Sequence, residues 1–395
     1  MDSILILGAS ATQVPLIECA KKLGYYVIVA SIPGNYPGLG LADETVYTDT
    51  RDKETLLKIA KQKGIKGVVT TGTDVAVRSI GYINSHLGLH GISEDSSLLV
   101  TDKAKMKEAL LKANVRTAPF IIVKSYEEAK LASDIIGFPL MVKSTDQAAS
   151  KGISRVDSID KLKEAVDYAF GWTEKQYVIV EECIVGHEVG MDGFVDDNGK
   201  CYCFPHNKIT YFNGLANVPI GHSVPFNSVD TVEKKNLFKE VEKGVRALGL
   251  RGVFFNTDVM IRDRQSFILE IGGRTGSTCI PDMLSKYCGF NYYEKIIDNA
   301  VGKQIKMDFI PQIACAAGFL MARQSGVVKE IDYSAISPGK GIEYSLDIRV
   351  GDTTKPFMLG NDRIGQVVCV ALTAQEAENK LLEAQYDIVN CIQYK

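Results

Sequence analysis

Residues 252–276 read GVFFNTDVMIRDRQSFILEIGGRTG, and two runs within them, Val253–Ile261 and Ser266–Ile271, are rich in β-branched, aromatic and long apolar side chains. The polar segment Arg262–Gln265 separates the runs, a pattern that predicts a β-hairpin. A turn centred on Arg264 sets Asp258 opposite Glu270, with both carboxylates on one face of the sheet. Like charges placed directly across a strand pair destabilise it, and a cation between them removes the penalty. Mg²⁺ suits the position, because it takes oxygen ligands and commonly joins one or two protein carboxylates to substrate phosphates. Arg274, four residues after Glu270, adds a planar charge fitted to a phosphate or a carboxylate. The plainer reading of the same residues is a solvated hairpin face with a chance charge pair.

Outward from the hairpin, the first hundred residues alternate strand and helix. Ser3–Leu7 is an apolar strand, Gly8-Ala9-Ser10 a small-residue turn, and Pro15–Leu23 an amphipathic helix stopped at Gly24. Strand Tyr26–Ala30, helix Leu56–Gln62, strand Gly67–Thr71 and helix Asp74–Leu87 continue the rhythm of a parallel, doubly wound sheet. The turn reads GASATQ and lacks the GxGxxG fingerprint, so a structural tight turn is favoured there over a dinucleotide site. A second unit starts near Thr101, where Asp102 is placed to cap a helix over Lys103–Lys112. Strand Leu140–Lys143 then runs into the small-residue loop Ser144–Gly152, and strand Tyr177–Glu182 leads into Cys183–Glu188. From about Lys303 the strand candidates Ile313–Ala322, Gly341–Ile348 and Arg363–Leu372 with helix Ala374–Gln385 predict a small α+β cap.

Composition narrows the function. The 395 residues suggest two or three domains, and 46% hydrophobic with 24% charged residues is an ordinary globular balance. A net charge of −3 and a pI near 6.0 announce no polyanion-binding surface, which speaks against nucleic acid as a partner. No apolar run approaches the roughly 20 residues that span a bilayer, so no membrane partner is expected. The start has no positively charged n-region, and nine dispersed cysteines without a CxxC fit reduced thiols, so a cytoplasmic location is the expectation. The five histidines show no metal spacing.

Several segments carry chemistry. Lys143 ends a strand just before STDQAASKG, a loop whose backbone N–H groups and lysine suit phosphate, although GxxxxGK[ST] is absent. Glu181, Glu182 and Glu188 flank a strand that becomes a linker, where peptide groups can meet a base edge and a carboxylate can accept ribose hydroxyls. His222 in NVPIGHSVP is a candidate for assisting proton removal, though a satisfied loop histidine is the commoner case. Asp74 suits either a substrate amine or a helix cap, and Thr275–Thr278 offers hydroxyl and N–H donors.

Taken in order, TDKAKMKEAL, GFPLMVKSTDQAASKGI, VIVEECIVGHEVGMDG and NTDVMIRDRQSFILEIGGRTG resemble the ATP-grasp superfamily, in its branch of carboxylate–amine ligases, glycinamide ribonucleotide synthetase and carbamoyl-phosphate-synthase-like proteins. The resemblance implies an α/β and α+β chain: a Rossmann-like domain over 1–100, an ATP-grasp domain over 101–302 with a nucleotide-binding part at about 115–190, and a C-terminal cap over 303–395. It implies ATP and Mg²⁺, or Mn²⁺, as cofactors, small carboxylate and amine substrates, and a homodimer as a family-level expectation. By position, Lys103 and Lys143 match phosphate lysines, and Ser150, Lys151 and Gly152 the loop that closes over the triphosphate. Glu181, Glu182 and Ile184 match the adenine-binding strand and linker, Glu188 the ribose acceptor, Asp258 and Glu270 the magnesium carboxylates, and Arg274 the arginine that steadies the reacting acid. Lys143, Arg274 and His222 are the candidate catalytic groups. Two departures stand out: Gly272 replaces the Asn of the pattern E-x-N-x-R, and Asp258 stands where Glu is common. The implied reaction activates a carboxylate as an acylphosphate and joins it to an amine. The competing readings are a purine-pathway ligase of the glycinamide ribonucleotide synthetase type and a non-catalytic ATP-binding regulatory module.

Overall fold

The computed structural model describes residues 1–147, 151–212, 217–334, 336 and 339–395, apart from the side chains of Asn217 and Asn361. Ser150 lies outside the described residues. The chain forms two compact units, Met1–Cys203 with Val229–Gly276 and Tyr293–Met307, and Phe204–Ser228 with Ser277–Tyr292 and Asp308–Lys395. The expected cuts at about 100 and 302 therefore differ from the observed ones. The reason is strand pairing: Asn217–Val224 forms an antiparallel ladder with Ala314–Met321, which ties a stretch assigned to the central domain to the C-terminal residues. Among the described residues no helix is long and apolar enough to cross a membrane.

The first unit opens with a parallel sheet of β1 (Ser3–Leu7), β2 (Tyr26–Ser31), β3 (Glu44–Tyr47) and β4 (Gly67–Val69), in the order β3-β2-β1-β4. Ile4 to Leu7 and Val27 to Ala30 are fully buried, as expected where helices cover a parallel sheet. The helices here are α1 (Val14–Lys22), α2 (Lys53–Lys63), α3 (Val77–Leu87) and α4 (Glu94–Thr101). The Gly8–Ser10 turn is closed from within. The Gln13 carboxamide oxygen accepts from Ser10 N (2.9 Å) and Ser10 Oγ (2.6 Å), and its nitrogen donates to Thr71 O at 2.5 Å.

Helix α5 (Lys103–Lys112) begins where Asp102 accepts hydrogen bonds from Ala104 N at 3.1 Å and Lys105 N at 3.2 Å, the cap the sequence predicts. Strands β5 (Phe120–Val123), β6 (Leu140–Lys143), β7 (Ile153–Val156) and β8 (Val178–Glu182) form an antiparallel sheet in the order β5-β8-β6-β7, under α6 (Tyr126–Ile136) and α7 (Ile159–Trp172). Its core includes Leu140, Val142, Leu162, Val178 and Val180. Strand β9 (His187–Val195) follows, and after β10 (Cys201–Phe212) and β11 (Asn217–Val224) the chain enters α8 (Thr231–Ala247) and the hairpin β12 (Val253–Arg262) and β13 (Gln265–Gly272).

The hairpin turn differs from the expected one, yet the predicted pair is present. The connection is two residues, Asp263 and Arg264, both with positive φ (50° and 61°), so the ladder begins at Arg262↔Gln265. That register alone would set Asp258 against Leu269. A bulge between Asp258 and Val259 on one side and Ile268 and Glu270 on the other leaves Leu269 as the extra residue, and Asp258 pairs with Glu270. Since strand side chains alternate, a one-residue slip moves a side chain to the opposite face. The bulge therefore brings Glu270 to the face of Asp258. It is pinned from outside the hairpin: Ile268 N donates to Arg116 O (2.8 Å) and Thr117 Oγ1 to Ile268 O (2.7 Å).

The second unit orders β10, β11, Ala314–Met321, Arg363–Ala371 and Ile342–Leu346 as an antiparallel sheet. Helix Ala374–Asn390 buries Ala377, Leu381, Ala384 and Ile388 in the same core as Ala316 and Val367. The predicted strands and helix of this region are present within a few residues, the helix running five residues further than expected.

Candidate functional site

The first unit gathers most of the charged residues singled out by sequence. β9 pairs with β12 so that Gly190 faces Asp258, and Asp192 faces Asn256. One sheet face therefore carries two successive rows, Gly190–Asp258–Glu270 and Asp192–Asn256–Gly272. Lys103, at the start of α5, reaches Glu270 Oε1 at 3.1 Å and donates to Gln147 O at 2.7 Å.

Behind this face lies a sealed charge cluster. Glu181 on β8 is 1% exposed and ion-pairs with Lys107 Nζ at 2.7 Å through one oxygen and with Lys143 Nζ through the other. Lys107 also donates to Thr117 Oγ1 at 2.8 Å, the hydroxyl that pins the hairpin bulge. Burial lowers the pKa of Lys107, and Glu181 only partly offsets this. Burial also acts to lower that of Lys143, but attraction to Glu181, Glu270 and Glu188 outweighs it and leaves the value raised. Burial acts to raise the pKa of Glu181, and the two lysines outweigh it, so the carboxylate stays charged.

Lys107 was missed as a site residue, although the signal was present. Lys103, Lys107 and Leu110 share one helix face at i, i+4 and i+7, and Lys107 is 2% exposed. Asp192 was missed too, and an acid inside the apolar run VGMDGFV was the signal. It is fully buried and accepts from Thr275 Oγ1 (2.9 Å), Gly276 N (2.6 Å) and Asn256 Nδ2 (2.9 Å). Two donors expected to face a substrate, the Thr275 hydroxyl and the Gly276 N–H, are thus turned inward.

Arg274 follows β13 and binds Asp74 Oδ2 through Nη2 at 2.5 Å. Asp74 is therefore an ion-pair partner and not the side-chain cap of α3, whose N-cap is Ala76. Burial acts to lower the Arg274 pKa, and Asp74, Asp192 and Glu270 outweigh it. A cavity of about 60 Å³ is lined by Arg274, Thr70, Asn84, His90 and Asn299 among others, room for a few waters rather than a substrate. Gly272 leaves space at this point. A Cβ there would lie 3.3 Å from Asp74 Oδ1 and 3.8 Å from Arg274 Cζ.

The remaining predicted residues are placed as follows. Glu182 pairs with Arg262, whose guanidinium lies 5.0 Å from the Phe267 ring centroid. Ile184 is 6% exposed. Glu188 sits on β9 opposite Met260. Lys151 Nζ stands 5.3 Å from the Trp172 ring centroid. Gly152 holds φ +65° with no room for a Cβ, which would meet Ser144 Oγ at 2.7 Å. His222, in the second unit, is 4% exposed and packs edge-on against His206 with ring centroids 4.5 Å apart. Burial, then His206 and Lys208, hold its pKa well below 6.5.

Asp258 and Glu270 form an all-oxygen donor set on one face, which fits a hard divalent cation such as Mg²⁺. Among the described residues no group of three or more His, Cys, Asp or Glu side chains could hold a metal, so further ligands would be other oxygens. Residues 110–301, which hold β5 to β9 and the carboxylate hairpin, match the family described as D-ala D-ala ligase C-terminus.

Residues 110–301 form an ATP-grasp domain. The chain is 24% identical over 373 residues to the formate-dependent phosphoribosylglycinamide formyltransferase of Francisella tularensis, covering 93% of each chain. Its fold is similar to that of phosphoribosylglycinamide synthetase from Anaerococcus prevotii, at 29% identity and TM-score 0.81 over 100% of this chain and 99% of that one. It is also similar to that of the L-amino acid ligase from Bacillus licheniformis, at 18% identity and TM-score 0.84 over the same shares. ATP-grasp ligases use ATP and Mg²⁺ in general.

Proposed function

We propose that this chain is an ATP-dependent ligase that activates a carboxylate as an acylphosphate and joins it to an amine, releasing ADP and phosphate. One observation carries the reading: Glu270, across the ladder from Asp258, holds Lys103 at 3.1 Å and lies within the electrostatic reach of Lys107, Lys143 and Arg274. Four cations around a carboxylate row is an environment for a polyphosphate and its metal, where charge moves during transfer.

In this reading Lys103 and Lys143 neutralise the triphosphate, and Glu181 and Lys107 hold Lys143 in position. The N–H groups of Glu182 and Cys183 are bound to Pro119 O (2.9 Å) and Pro139 O (3.0 Å), so an adenine edge would meet the peptide groups beyond them, from Ile184 on. Glu188 accepts the ribose hydroxyls. Asp258 and Glu270 would hold Mg²⁺ or Mn²⁺, which when bound supplies Lewis-acid stabilisation of the phosphoryl oxygens. A carboxylate oxygen attacks the γ-phosphorus as its bond to ADP breaks. The amine nitrogen then attacks the acyl carbon, phosphate leaves, and the amine loses a proton. Arg274 orients the acid and its phosphorylated form.

The likeness to phosphoribosylglycinamide synthetase favours a second reading, a phosphorylated sugar amine as acceptor. The Gly8–Ser10 turn weighs against it, since Gln13 already takes the Ser10 N–H and hydroxyl that would cradle a phosphate. Measuring ADP release against a grid of carboxylates and amines, with mass spectrometry of products, tests both. The ligase reading expects ADP and phosphate in equal amounts with one acid–amine pair. Stimulation by glycine with phosphoribosylamine alone selects the second reading. ATP binding without ADP formation across the grid overturns both.

A further inference from the structure

The two matched rows of the sheet face carry an oxygen donor that the carboxylate pair does not include. Asn256 lies on the same face as Asp258 and Glu270, two residues from the first and a diagonal neighbour of the second. Diagonal partners across an antiparallel ladder stand about 7–8 Å apart at the backbone, within reach for side chains that meet at a common ion. The position directly across from Asn256 is Gly272, so no side chain competes from that strand. A side chain at 272 would instead press on Asp74 Oδ1, 3.3 Å from where its Cβ would lie, and so on the Asp74–Arg274 ion pair.

The Asn256 amide is also oriented. Its Nδ2 donates to Asp192 Oδ2 at 2.9 Å, and Asp192 is a fully buried acceptor whose other oxygen already receives two hydrogen bonds. A carboxylate in that position demands a donor, which fixes which end of the amide is nitrogen. The Asn256 carbonyl oxygen is left as an acceptor beside the Asp258–Glu270 row. A buried partner that holds a ligating group in one orientation is a recurrent feature of metal sites.

We propose that Asn256 Oδ1 is the third protein oxygen at a divalent-cation site formed with Asp258 and Glu270, oriented for that role by Asp192. The inference rests on the ligase reading above, and the experiment separates the two. Mn²⁺ is titrated into the full chain with saturating ADP and the free ion counted by electron paramagnetic resonance, which requires no turnover. Asn256→Ala is expected to weaken Mn²⁺ binding by about tenfold or more, with ADP affinity in the absence of metal unchanged. Asn256→Ser keeps a hydroxyl donor but withdraws the carbonyl oxygen from the row, so it is expected to weaken Mn²⁺ binding in the same direction. Wild-type Mn²⁺ affinity in Asn256→Ala overturns the inference and leaves the ligase reading standing. Should Asn256→Ala fail to fold, wild-type Mn²⁺ affinity in Asn256→Ser overturns it instead. Absence of any ADP-dependent Mn²⁺ binding by the wild-type chain overturns both.

Discussion

Glu181 and Glu270 both face lysines in the first unit, yet they are built for opposite tasks. Glu181 is sealed at 1% exposure, with Lys107 and Lys143 on its two oxygens. The Glu270 side chain is 38% exposed, holds Lys103 at 3.1 Å and shares its row with Asp258. A buried anion with a lysine on each oxygen is a positioning device, because displacing either lysine would strand a charge in a dry site. A half-exposed anion can exchange its lysine for a metal ion without that penalty. The two are mechanically joined, since Lys107 bonds to Thr117, Thr117 bonds to Ile268, and Ile268 adjoins the bulge that sets the face of Glu270.

The sharpest break in this comparison is at the open carboxylate. Glu270→Ala is expected to lower ADP formation by about 10³-fold or more while the thermal midpoint stays near that of wild type. A steady-state assay at saturating Mg²⁺ beside a melting curve checks it. Near-normal turnover would remove Glu270 from the machinery, and a collapsed melting curve would make it a structural residue like Glu181.

The sealed carboxylate should behave in reverse. Glu181→Gln leaves two buried ammonium groups without their anion, and the expected loss of stability is about 3–5 kcal/mol, read by denaturant unfolding at neutral pH. The sign of the pH dependence follows from the depressed folded-state pKa of Glu181. Its contribution is complete above the unfolded value near 4.5 and is lost as pH falls through the folded value. The stability gap between wild type and Glu181→Gln should therefore hold from neutral pH down to about 4.5 and narrow below it. A gap that is constant with pH would mean that Glu181 is not the charged centre of the cluster.

Which parts of this were legible in the sequence follows from the range of the forces involved. The Asp102 cap, the hairpin and the parallel N-terminal sheet rest on local pattern, and each is present. The pairing of Asp258 with Glu270 was reached through a turn centred on Arg264, whereas the structure reaches it through a two-residue turn and a compensating bulge at Leu269. Turn chemistry did not give the bulge away, because what pins it is Arg116 and Thr117, about 150 residues distant in the chain. The inward turn of Lys107 was hidden for a similar reason. KAKMKEALLK reads as an ordinary basic helix until β8 supplies Glu181. The second unit joins stretches far apart in sequence, as in the ladder of Asn217–Val224 with Ala314–Met321, and local pattern does not carry such pairing.

His222 supplies the smallest expected effect and the contrast that gives the other two meaning. In the sequence it stood beside Lys143 and Arg274 as a candidate for proton transfer. In the structure it is buried against His206 in the second unit, with its pKa well below 6.5. A ring with so low a pKa is already neutral near pH 7 and titrates outside the range in which a ligase assay would detect it. His222→Gln should therefore leave the pH profile of kcat/KM unshifted around neutrality, with turnover within about threefold of wild type. Its influence belongs to stability. The unfolded chain binds a proton on this ring more readily than the folded one, so His222 makes stability rise with pH up to about 6.5 and weakens the fold below it. A neutral-pH limb in the wild-type profile that disappears in His222→Gln would return the residue to the chemistry, and would show that burial near a second imidazole does not silence a histidine here.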